Sequence, residues 1–62
     1  MINEKEQFIT SLILTKTPYT EAKIDTIDII TVPMVYTEDG KVSIAIEIWF
    51  NKYGKYIKGR TI

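Results

Sequence analysis

The stretch NKYGKYIKGRTI, residues 51–62, carries Lys52, Lys55, Lys58 and Arg60, interleaved with Tyr53 and Tyr56, and holds no carboxylate. Trp49 stands just before it. Cations interleaved with aromatics can do one of two things. They can hold phosphates while the rings stack on bases, as single-strand binders do. They can also anchor a protein interface, because Trp, Tyr and Arg are the side chains that most often dominate such contacts. The nucleic-acid set is Lys52, Tyr53, Lys55, Tyr56, Lys58 and Arg60, on a β-ribbon of the kind that enters a DNA groove. The protein-interface set is Trp49, Tyr56, Lys58 and Arg60, with Ile29 and Val35 as apolar surround.

Catalysis is not expected. The chain has no histidine and no cysteine. That removes the usual general base near neutral pH, the thiolate nucleophile and the commonest metal ligands. Ser11 and Ser43 have no histidine to activate them. Asp25 and Asp28 read as solvated strand charges. Glu38 and Asp39 lack the ligand series of a calcium loop. No glycine-rich phosphate loop is present. No cofactor, metal or small-molecule substrate is therefore expected.

Charge distribution weighs the two binding readings. Net charge is zero, but residues 1–50 carry four cations against eight carboxylates, a balance of −4, and residues 51–62 carry a balance of +4. A nucleic-acid module usually has an overall basic balance. The acidic body therefore favours a protein partner, with nucleic acid as the alternative. A regulator or inhibitor that occupies a partner's surface fits, and so does a homodimer in which the acidic body of one copy meets the basic end of another. In the plainer reading, the lysines keep the last strand from aggregating at its edge, and Trp49 covers a second core shared with a dimer partner.

The elements that must position these residues fit in one domain, residues 1–62. A chain of this length hides only about 60% of the surface its unfolded form exposes. Small chains without disulfide or metal lean on an efficient core or on self-association. Hydrophobic residues make up 45% of the chain, a globular composition. No apolar run approaches the roughly 20 residues of a membrane span. The acidic opening MINEKEQ is unlike a secretory leader. A soluble cytoplasmic protein is expected. The Ile, Lys, Thr and Tyr usage suggests an AT-rich genome, such as that of a low-GC bacterium, an archaeon, or one of their viruses or mobile elements.

Asn3 and Glu6 have capping-box spacing, so a helix should start there. Phe8, Ile9, Leu12 and Ile13 recur as one helical stripe. Lys16 meets the negative pole, and Pro18 stops the helix by about residue 16. Residues 17–23 read as a loop with one turn of helix, with a short second helix over about residues 18–24 as the alternative. From Ile24 onward, Ile, Val and Thr favour strand.

Asp39-Gly40 marks a hairpin. A three-residue loop pairing Thr37 with Lys41 gathers Ile30, Val32, Met34, Tyr36, Val42, Ile44, Ile46, Ile48 and Phe50 on one face. A two-residue loop instead sets Glu47 beside Val32, so the three-residue loop is chosen. Pro33 requires an edge strand or a bulge. A two-residue Tyr53-Gly54 turn then leads into a third strand. It places Arg60 opposite Glu47 and Lys58 opposite Trp49, with Tyr56 on the same face and Ile57, Gly59 and Thr61 on the core face. The expected fold is α+β: an N-terminal amphipathic helix on one face of a three-stranded antiparallel meander, αβββ, with Trp49 and its neighbours on the open face.

Overall fold

The computed structural model describes residues 2–33 and 45–62. Its helix α1 runs Glu4–Leu14. Asn3 caps it, with Oδ1 accepting from the Glu6 amide at 2.8 Å. Glu4 and Glu6 add negative charge to the positive pole. At the other end the amide of Lys16 donates to Ile13 O at 3.0 Å and that of Thr17 to Leu12 O at 2.8 Å. This is a Schellman closure, and it puts Lys16 in the left-handed region at φ 55. A side chain there costs about 1–2 kcal/mol. Lys16→Gly should therefore raise stability by about 0.5–1 kcal/mol, after glycine's own entropy is subtracted. An unchanged or lower urea midpoint would contradict this reading of the cap.

Among the described residues the sheet has four antiparallel strands in the order β1-β2-β3-β4, one more than expected. They are β1 Thr20–Ile24, β2 Ile27–Val32, β3 Ile46–Phe50 and β4 Tyr56–Thr61. The stretch expected to be loop or helix at 17–23 instead supplies β1. Its signal was hidden in the turn. Asp25-Thr26 closes the β1–β2 hairpin with Ile24 opposite Ile27, and Asp25 takes φ 55. Aspartate tolerates that conformation better than most residues, but lacks the Asp-Gly signature that makes such turns legible. With β1 present, β2 is internal. It ends at Val32, so Pro33 takes no part in the ladder.

The β2–β3 register is the expected one: Ile30 faces Ile48, Val32 faces Ile46 and Thr31 faces Glu47. The expected turn at 38–41 lies outside the described residues. The helix-side face of these strands meets α1. Leu12, Ile30, Val32 and Phe50 are buried together, with Phe8, Ile9, Tyr19, Ile46 and Ile48 packed around them. The Phe8 and Phe50 ring centroids are 5.9 Å apart, and those of Phe50 and Tyr56 6.4 Å, edge to face. Ile13, expected on the contact stripe, is 61% exposed. It sits about 100° around the helix from Leu12, which carries it past the sheet.

Lys5 ties α1 to the β1–β2 half of the face it covers, 3.3 Å from Asp28 and 3.4 Å from Glu21. Burial lowers the pKa of its ammonium. Asp28 and then Glu21 outweigh that and hold it above the ordinary lysine value of 10.5.

The β3–β4 connection differs from the expected two-residue turn. Lys52, Tyr53 and Gly54 form a three-residue loop, closed by Gly54 N–H to Asn51 O and Asn51 N–H to Lys55 O, both 2.9 Å. Asn51 Oδ1 accepts from the amides of Tyr53 and Lys55, an Asx turn that favours this loop. Tyr56 consequently stands opposite Phe50, and an irregularity between Trp49 and Phe50 leaves Ile57 as the extra residue. From there the ladder runs as expected, with Trp49 opposite Lys58 and Glu47 opposite Arg60. β4 is exposed at all six positions, so Ile57, Gly59 and Thr61 add nothing to the buried core.

Candidate functional site

Successive strand residues alternate between faces. The face turned away from α1 therefore carries Ala22 and Ile24 from β1, Ile27 and Ile29 from β2, Glu47 and Trp49 from β3, and Lys58 and Arg60 from β4. Ile62 continues that series, its amide donating to Ala45 O at 2.9 Å.

The centre of this face is a connected cluster. Trp49 Nε1–H donates to Glu47 Oε1 at 2.7 Å. Arg60 Nε lies 2.8 Å from the same oxygen. The Lys58 ammonium sits 4.4 Å from the centroid of the Trp49 ring. One carboxylate thus holds both the indole and the guanidinium, and one ammonium lies over the indole's negative face. Such a cation–ring contact contributes about 0.5–1 kcal/mol at an exposed site. Its main effect here is to restrict the Trp49 rotamer.

The chain has no counterpart in the comparisons made: no known family, curated protein or solved structure matches it.

The expected interface residues do not all meet. Trp49, Lys58 and Arg60 share the face, as their register requires. Ile29 is on it but only 5% exposed, flanked across the ladders by Ala22 and Trp49. It supports the face from beneath, because the unforeseen β1 makes its strand internal. Tyr56 belongs to the other side: the three-residue loop turns it toward Phe50 and the helix. Its amide donates to Glu4 Oε1 at 3.1 Å. Val35 lies outside the described residues. Ile24 and Ile62, 55% and 62% exposed, are apolar members of this face that the candidate set omitted.

The nucleic-acid set is split in the same way. Lys58 and Arg60 lie on the Trp49 face, and Tyr56 lies on the helix side. Lys52, Tyr53 and Lys55 are at the hairpin tip beside the helix start, with the Lys52 ammonium 5.2 Å from the Tyr53 ring centroid. Gly54 of that tip accepts from the Lys5 amide at 2.9 Å, which places the loop against α1. Among the described residues, no helix is long and apolar enough to cross a membrane, and no three His, Cys, Asp or Glu side chains gather as metal ligands.

Proposed function

We propose that this chain is a non-enzymatic protein-binding domain of regulator or inhibitor type, and that its Trp49 face pairs with a second copy. The observation that carries the reading is the state of Trp49: half-buried on the face α1 does not cover, fixed by Glu47 and overlaid by Lys58. An aromatic anchor already held in one rotamer loses little freedom on binding, which is how interface hot spots gain their energy. Exposed Ile24 and Ile62 supply apolar area on the same face. A net charge of zero leaves no long-range repulsion between copies.

The cluster's geometry favours protein over nucleic acid. Lys58 occupies a ring face that a base would stack on, and Tyr56 faces elsewhere.

Sedimentation at micromolar concentration should report a dimer. Ile24→Glu and Ile62→Glu, both at exposed positions, should each weaken it at least tenfold, as should Trp49→Ala. A monomer persisting to several hundred micromolar rejects the pairing. Salt-sensitive quenching of Trp49 by mixed DNA or RNA transfers the face to nucleic acid.

A further inference from the structure

Among the described residues β4 is the outermost strand of the sheet on its side, and all six of its residues are exposed. The Ile62–Ala45 hydrogen bond fixes which of its backbone groups look outward. Bonded and non-bonded pairs alternate along an antiparallel ladder. Arg60 and Lys58 therefore turn their backbone groups to β3, and Gly59 and Thr61 turn theirs away from the sheet. A row of outward amides and carbonyls is a template for an added strand.

The two faces beside this template differ in chemistry. On the Trp49 side stand Lys58 and Arg60. Arg60 uses Nε on Glu47, and its guanidinium carries further donors on its two terminal nitrogens. On the helix side a trough of about 410 Å3 runs between α1 and the β3–β4 hairpin, lined by Phe8, Ile48, Phe50 and Tyr56 with Glu4 and Gln7 at its polar wall. Gly59 contributes no side chain to it. Ile48 Cδ1 and Tyr56 Oη lean over Gly59, 2.9 and 3.4 Å from where a Cβ would stand.

An added strand also alternates its side chains between faces. We propose that β4 receives an extended segment of another protein with the pattern acidic–apolar–acidic. The two carboxylates meet Lys58 and Arg60, and the apolar residue between them lies opposite Gly59 at the lip of the trough. Charge decides against a second copy at this edge. Two β4 strands paired about Gly59 would set Lys58 of one copy opposite Arg60 of the other, and like charges directly opposite destabilise a ladder. β1 of another copy would bring Thr20, Ala22 and Ile24 to that side, with no carboxylate among them. The site shares Lys58 and Arg60 with the Trp49 face, but a strand added outside β4 widens that face without covering it.

The test uses the whole chain and a blocked peptide, Thr-Val-Glu-Val-Glu-Val-Thr, followed through Trp49, the single tryptophan. Pairing with a carboxylate draws the Lys58 ammonium off the indole, so emission should change saturably. The same peptide with lysine for glutamate should bind at least tenfold more weakly. Thr61→Pro removes an outward amide and no β3–β4 bond. It should weaken binding at least tenfold while the far-ultraviolet spectrum stays native. Lys58→Glu, which leaves the backbone intact, should also weaken the acidic peptide at least tenfold and decides the matter if Thr61→Pro misfolds. Equal binding of both peptides, undiminished binding by a folded Thr61→Pro or by Lys58→Glu, or no saturation at millimolar peptide overturns the proposal. Sedimentation of the same samples reports the Trp49 pairing independently.

Discussion

Replacing Phe50 with alanine should leave the chain largely unfolded at room temperature. Phe50 is 2% exposed and sits where the helix, β2 and the β3–β4 hairpin converge, against Phe8 on one side and Tyr56 on the other. The described buried hydrophobic set is small: Leu12, Ile29, Ile30, Val32 and Phe50. Truncating a buried phenylalanine costs about 3–5 kcal/mol. A single core of this size rarely supplies more than about 3–5 kcal/mol of net stability. The loss therefore matches the whole margin. Circular dichroism should show no cooperative melt for Phe50→Ala, whereas Phe50→Leu, which keeps most of the volume, should melt at a lower temperature. A Phe50→Ala protein melting within a few degrees of the parent would mean that the core lies elsewhere.

Gly54→Ala is expected to cost about 2–3 kcal/mol through two separable effects. Gly54 holds φ 76, where a side chain costs about 1–2 kcal/mol. A Cβ there would also collide with Asn3 Cγ, so the helix cap must move. Losing that cap costs about 1 kcal/mol. The second effect disappears once Asn3 is shortened. In a double-mutant cycle, Gly54→Ala should therefore cost less in an Asn3→Ala background, with a coupling of about 1 kcal/mol. Additive losses would show that the hairpin tip and the helix start do not press on each other.

Much of this architecture was legible because burial leaves a period in the sequence. Phe8, Ile9 and Leu12 announced the helix face, and Ile30, Val32, Ile46, Ile48 and Phe50 fixed the β2–β3 register against a competitor that would have buried Glu47. β1 was not legible, because its residues are exposed throughout and its alternation, Ala22 and Ile24 against Glu21 and Lys23, is too short and too weakly apolar to stand out. Its existence rests on a backbone ladder, which any sequence can form. The same omission made Ile29 look accessible, since an internal strand hides what an edge strand shows. Of the candidate site, the pairing of Trp49 with Lys58 and of Glu47 with Arg60 could be read from charge avoidance alone. The contacts of the Trp49 indole depend on side-chain rotamers, which spacing does not encode. Tyr56 lies on the helix side because the Asn51 carboxamide shapes a longer loop, and asparagine in a turn does not announce that length in the sequence.

The hairpin between β3 and β4 contains two departures from regularity, an added loop residue and an inserted strand residue. Each alone would reverse the parity of everything downstream, turning Lys58 and Arg60 toward the hydrophobic interior. Together they cancel, and the end of the chain regains the orientation that a shorter turn would have produced. Changes of length in this part of the molecule are therefore tolerable in compensating pairs and ruinous singly.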